Sequence, residues 1–308
     1  RLKNYCTGCD TVGKLKWECN GIEIDLSDDE TASIFCDVDN LPCSVTGSFD
    51  RRSAPGMQGT NTYAASLSGM QITISGVIMA RNMGSQSKPV DMVLEDYRKL
   101  LCNAFNPLFV GKLTRIIGGG LYFAEARANS TPIFDTAFGG TLPFSVDLYA
   151  DEPYWKLDDK RVIDIGPSDT EAVFSGETQE MGEVLSISAA ILNQSKTDQY
   201  PIVRFWPTAN KPILRNKTTG KILTLNQQIT GDFYVDVDTY PSKNTVELYK
   251  KQTDGSYEAI ENVSYWLSVD SSQDYYLVPG LNDRVVENAT AGAYPAVSLI
   301  WYERELIV

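Results

Sequence analysis

The stretch SVDLYADEPYWKL, Ser145 to Leu157, decides how the chain divides. It continues an alternating strand in which Leu142, Phe144, Val146 and Leu148 share one face. That pattern stops at Asp151, Glu152 and Pro153 and gives way to Tyr154, Trp155 and Lys156. Paired carboxylates beside aromatic rings can form a sugar-cleaving centre. Adjacent side chains of an extended chain point to opposite faces, however. A glycosidase needs two converging carboxyls about 5–10 Å apart. Asp151 and Glu152 therefore do not form such a pair, and the stretch reads as a boundary. It predicts one domain over residues 1–157 and a second over 158–308, with Pro153, Tyr154 and Trp155 as the junction and the two aromatics packed as a hinge plug.

Upstream of the boundary the pattern is strands around a single helix. GIEIDLSDD places Ile22, Ile24 and Leu26 on one strand face. RRSAPGMQGTNTYAASLSG, residues 51–69, is rich in Gly, Ser, Asn and Thr, which predicts an extended loop or hairpin arm. A loop this long is uncommon in a compact domain unless it has a use. In MQITISGVIMA the residues Ile72, Ile74, Ile78 and Ala80 share a face, and Gly76 marks a bulge or a close approach. KPVDMVLEDYRKLLCNAFNP predicts a helix over residues 89–105. Its apolar stripe is Val90, Val93, Leu94, Tyr97, Leu100, Leu101 and Ala104. Pro89 suits the first turn, and Asn106-Pro107 stops the helix. The glycine run in GKLTRIIGGGLYF lacks the Lys-Ser/Thr of a phosphate loop and predicts a hairpin turn.

Downstream, no second helix is convincing. Short strand candidates recur between Asn, Gly, Pro and Asp turns: EVLSISAAIL, YPIVRFW, KILTLN, DFYVDVDTY, NTVELYK, DYYLVPG and AVSLIWYERELIV. Such spacing predicts a β-sandwich. The fold class is therefore mainly β: an N-terminal β-sandwich carrying one helix, then a second β-sandwich.

Composition narrows the function classes. With 43% apolar and 22% charged residues, the 308-residue chain is that of a folded protein. No apolar run reaches the ~18 residues of a membrane helix, so no membrane insertion is expected. No secretory signal pattern opens the sequence. A net charge of −13 repels nucleic acid, so specific nucleic-acid binding is not expected. Histidine is absent, which removes Ser-His-Asp and Cys-His catalysis and His metal ligands.

Five of six cysteines, Cys6, Cys9, Cys19, Cys36 and Cys43, fall in the first 43 residues, and Cys102 stands apart. Their spacing is loose for zinc. Reduced structural thiols, a disulfide and a zinc site all remain open readings, and no metal is expected. The acid pairs Asp37/Asp39 and Asp236/Asp238 lack the remaining oxygens of a calcium loop. Trp206, Trp266 and Trp301 are a candidate sugar platform, although Trp in alternating strands belongs more often to the core. No catalytic residue and no cofactor emerges from the chain.

The ordered set of motifs carries a resemblance. A Gly-rich arm after Arg51-Arg52, then GMQITISGVIMA, the helix VDMVLEDYRKLLCNAF, and the closing FSVDLYADEPYWK resemble the distal tail proteins (Dit) of long-tailed (siphovirus) bacteriophages. YPIVRFW, NKTTGKILTLN, GDFYVDVD, LVPGLN and VSLIWYERE resemble, in that order, the galectin-like second domain of that family. The resemblance runs from about Arg51 to the end and leaves out the cysteine-rich start. It implies a non-enzymatic structural protein of the virion tail tip or baseplate, assembled in the host cytoplasm. Six copies would form a homo-hexameric ring around a channel for DNA. The implied partners are the tail tube protein, the tail-tip hub (tail-associated) protein and receptor-binding proteins. Within such a ring the arm would clasp a neighbour, burying Met57 and Tyr63, with Arg51 and Arg52 at its base pairing with acids. The competing reading is a carbohydrate-binding or glycosidase-like β-sandwich module.

Overall fold

The computed structural model describes residues 14–27, 33–37, 41–52, 61–80, 89–166, 185–207, 209–289 and 296–306. Cys6, Cys9, Asp39 and Met57 lie outside the described residues. The chain divides into two compact units, one taking in the residues up to Asp158 together with Leu306, the other spanning Asp159–Glu305.

The first unit contains β1 (Lys14–Cys19), β2 (Ile22–Ser27), β3 (Ile34–Cys36), β4 (Cys43–Arg52), β5 (Asn61–Met79), α1 (Val90–Ala104), β6 (Gly111–Ile117), β7 (Gly120–Ala128), β8 (Ile133–Phe134) and β9 (Thr141–Ala150). The next strand, β10 (Trp155–Ile165), contains the division between the units. Neighbouring strands run in the order β7-β6-β1-β2-β3-β5-β9-β8, and β4 lies against β5. All these pairs are antiparallel except β2–β3, which is parallel. The sheet curls until β7 also meets β9, through Arg127↔Tyr149 and Ala128↔Leu148. The inward residues alternate as the sequence pattern requires: Met70, Ile72, Ile74 and Ile78 face Leu142, Phe144, Val146 and Leu148 within one buried cluster. Gly118 and Gly119 adopt positive φ in the β6–β7 hairpin, as a two-residue turn between twisted strands demands.

Helix α1 fits against β1, β2 and β5. Leu94, Leu101 and Ala104 enter the core. Val90 and Leu100, predicted to lie on the apolar stripe, are exposed instead. The inward stripe is narrower than the sequence suggests: Val93, Leu94, Leu101 and Ala104 are buried, and Tyr97 packs on the core. Trp17 fixes this seat. Its indole N–H donates to the Ala104 carbonyl at 2.8 Å, satisfying an end-of-helix oxygen, and its ring stacks on Phe105 at 5.1 Å. A Cβ on Gly111 would stand 2.3 Å from that ring, so only glycine fits there.

The second unit is built from β11 (Leu185–Asn193), β12 (Ile202–Phe205), β13 (Ala209–Asn216), β14 (Ile222–Thr224), β15 (Phe233–Asp238), β16 (Val246–Lys251), β17 (Tyr257–Asn262), β18 (Gly280–Ala289) and β19 (Val297–Glu305). One sheet has the order β17-β16-β15-β12-β19-β10 and the other β11-β18-β13-β14. Val203, Phe205, Val235, Val237, Leu299 and Trp301 from the first meet Ile187, Ile191, Leu214, Leu223 and Val286 from the second in one core. This is a two-sheet sandwich. The run DYYLVPG, expected as a strand, is irregular. Its Tyr275 and Leu277 are buried, and its Leu277 makes a single bridge to Gln199 before β18 begins at Gly280.

Candidate functional site

The predicted arm is a two-stranded ribbon, and its residues explain why. β4 and β5 pair continuously from Cys43↔Ile72 to Arg52↔Asn61, with register shifts between Val45 and Gly47 and between Asp50 and Arg51. The inner part is anchored: Met70 and Ile72 are buried, and Cys43 and Val45 pack on the core. Beyond Gly47 both faces are open to solvent. Residues 61–69, expected within an extended loop or hairpin arm, are strand, because Thr, Tyr and small residues pair well when a partner strand lies opposite.

The two faces differ. Phe49 sits opposite Ala65, and Gly47 opposite Leu67. Arg51 reaches that side, where its guanidinium lies over the Phe49 ring, and Tyr63 falls at the register shift. Phe49 is 52% exposed, Tyr63 65% and Leu67 43%. Ser48, Asp50, Ser66 and Ser68 belong to the other side. Ser68 steadies the ribbon by accepting the Thr46 N–H at 3.1 Å. The Phe49 ring folds back over Gly47, whose added Cβ would meet it at 3.0 Å, and the Arg51 guanidinium stacks on the same ring at 4.8 Å. Arg51 and Arg52 thus stand at the outer end of the described ribbon. Their expected position at the base of the arm is corrected by the pairing, which starts its exposed stretch near Gly47.

The junction residues are placed as follows. β9 ends at Ala150, before Pro153. Pro153 is buried, Tyr154 is half-buried, and Trp155, fully buried, opens β10 within the core of the first unit. Lys156 bonds Glu152 at 2.9 Å and Glu125 at 3.2 Å, so one of the two opening acids serves an ion pair.

The cysteines Cys19, Cys36, Cys43 and Cys102 are free thiols. Burial pushes the Cys36 thiol up to about 12. Burial also raises Cys43, against the opposing pull of Arg115 and the Trp155 indole. Both shifts suppress the reactive thiolate. Among the described residues no group of three His, Cys, Asp or Glu side chains converges as a metal site.

In the second unit the three tryptophans are not brought together. Trp301 is core, and Trp266 packs against that core. Trp206 lies on the sheet face away from the core, beside Tyr234 at 5.3 Å and Tyr257 at 6.4 Å. Its indole N–H donates to Ser298 Oγ at 2.7 Å, and Ser298 in turn donates to Asp164. Arg204 stacks over Tyr234 at 4.0 Å and makes a two-pronged pair with Asp236 at 2.8 Å. Tyr249 stacks on Tyr234 at 4.9 Å and donates to Glu247 at 2.8 Å. Sequence reasoning missed this array, because its members come from β10, β12, β15, β16, β17 and β19, whose order is set only by folding. The rings cover one another, so they form a packed layer rather than an open platform. Asp236 is occupied by Arg204, and Asp238 by the Tyr240 N–H at 3.0 Å and Lys243 at 3.9 Å.

No family model matches the chain, and no curated protein does. Among solved structures, the chain is similar to the Dit protein of phage SPP1, described as a paradigm of the hub adsorption apparatus in phages infecting Gram-positive bacteria. The identity is 13% and the TM-score 0.50, over 95% of this chain and 99% of that one. It is likewise similar to a chain of the phage P2 baseplate in its activated, calcium-containing conformation, with 11% identity and a TM-score of 0.51, over 97% and 100% of the two chains. The chain therefore has the mainly β fold shared with phage Dit and baseplate proteins.

Proposed function

We propose that this chain is a structural component of a phage tail tip, assembling as a six-membered ring between the tail tube and the tip hub. In this reading the ring carries receptor-binding parts outward and leaves a central channel for DNA. The observation that carries the proposal is the ribbon with an exposed apolar face. A two-stranded ribbon is marginal alone in water, and exposed apolar side chains such as Phe49 and Leu67 bury further surface against a neighbour. The shared fold supports the same reading, since it spans nearly the whole of a hub protein and of a baseplate chain. The charge agrees too. A channel that DNA must cross quickly cannot grip phosphates, and a chain at −13 supplies a repelling field. The role requires no catalysis and no cofactor.

The test is mass measurement of the native assembly together with electron microscopy. A ring is expected for the natural protein. Replacing residues 48–66 by an Asn-Gly turn should leave a folded monomer and weaken the ring. A protein that stays monomeric at high concentration overturns the reading. The carbohydrate-binding alternative predicts glycan-array binding by the second unit, and the mutually covered rings there argue against it.

A further inference from the structure

The first unit also holds a cleft that matches the ribbon. It has a volume of about 340 Å³ and is lined by Ile133, Phe134, Asp135, Pro143, Phe144 and Ser145, along β8 and the start of β9. That is near the lower end for small-molecule pockets, which run from about 300 to 1,000 Å³, and it suits one or two inserted side chains. It mixes apolar and polar lining: Phe144 is buried, and Ile133 on its wall is 68% exposed. Beside it, Phe138, 86% exposed, is bridged to Thr141. β8 is the last strand in its sheet, so the cleft opens at an edge.

We infer that this cleft receives the ribbon of a second copy of the chain. The inference rests on the ring reading above and adds where the arm lands. Two observations on the molecule point to this occupant. The ribbon presents Phe49 and Leu67 on one face, and the cleft offers Ile133, Phe134 and Phe144 beside Asp135 and Ser145. The charges are complementary as well. Arg51 stands exposed beside Phe49, and Asp135 stands exposed on the cleft wall. Arg98, over Phe134 at 5.1 Å, is already paired with Glu95 at 3.3 Å, and the Asp135 carboxylate accepts the Thr136 N–H at 2.7 Å. In a chain carrying −13, copies repel overall, and a contact forms where a cation of one meets an acid of the other. Ribbon and cleft are different surfaces of one chain, so the contact is head-to-tail and closes into a ring when the rotation allows.

The experiment is a charge-reversal cycle on the full chain, read by native mass spectrometry and sedimentation. Arg51→Glu and Asp135→Lys are each expected to raise the concentration needed for assembly about tenfold, with unchanged circular dichroism. The double variant should recover most of that loss. In parallel, a photo-reactive phenylalanine at Leu67 should cross-link to the peptide covering residues 133–145 of a second copy. Rings that persist while the cross-link maps elsewhere, or while the double variant recovers nothing, overturn this contact and leave the ring reading standing. A natural protein that never exceeds a monomer overturns the ring reading and this contact together. If Asp135→Lys disturbs the local turn, where the carboxylate accepts the Thr136 N–H at 2.7 Å, the cross-link alone decides.

Discussion

Gly76 has no room for a side chain. A Cβ there would stand 2.5 Å from the Phe35 carbonyl and 2.6 Å from Cys36 Sγ, and the first of these is backbone that cannot swing away. Gly76→Ala is expected to push β3 off β5 and to cost about 1–3 kcal/mol, visible as a lowered thermal midpoint. The sequence marks this glycine as a bulge or a close approach; the unbroken β5–β9 register decides for close approach. A different prediction concerns the tyrosines of the second unit. Burial, reinforced by Asp236, lifts Tyr234 to about 12; burial, together with the hydrogen bond to Glu247, lifts Tyr249 to about 12. The unfolded chain ionises tyrosine near pH 10. Because the folded pKa is raised, the stabilisation is full below pH 10 and is lost as pH climbs from about 10 through 12. Tyrosinate absorbance should show late-titrating residues in the folded protein, and Tyr249→Phe should flatten the alkaline loss of stability. Titration of every tyrosine near pH 10 in the folded state contradicts this.

At the scale of elements, α1 contributes through its inner row. Leu101 is fully buried and its carbonyl receives the Phe105 N–H at 2.9 Å. Leu101→Ala is expected to cost about 2–5 kcal/mol, read as a lower urea midpoint. Leu100, one position along, is exposed, and Leu100→Ala should stay within about 0.5 kcal/mol of the natural protein. Equal effects at both positions refute this seating of the helix. The ribbon behaves oppositely to the helix. Leu67→Ser removes no core contact, so monomer stability should hold while assembly weakens. The helix was legible because a 3.6-residue repeat is local. The ribbon was legible only as an arm, because its pairing partner and its two register shifts are not written in either strand alone.

For the whole molecule, each unit has its own core. One centres on Trp17, Leu101, Ile72 and Phe144, the other on Phe205, Leu214, Val286 and Trp301. We expect a fragment covering residues 158–308 to fold alone with β-type circular dichroism and a cooperative thermal transition. Insolubility or a featureless spectrum across several nearby start points would count against independent folding. Retention of double-stranded DNA by the assembled protein at physiological salt would contradict the role of its charge.

Alternation and composition alone determined that this protein is mainly β with one helix and that histidine chemistry is excluded. These properties depend on residues close in sequence and on counting. Tertiary structure alone decided the closure of the first sheet through Arg127↔Tyr149, the buried but irregular path of DYYLVPG, and the grouping of Trp206 with Tyr234 and Tyr249. It also set the register that gathers Phe49, Ala65 and Leu67 on one face opposite Ser48 and Ser66. A strand's side-chain period tells which residues share a face. Which strand lies beside it is a non-local choice, made by packing across the finished core.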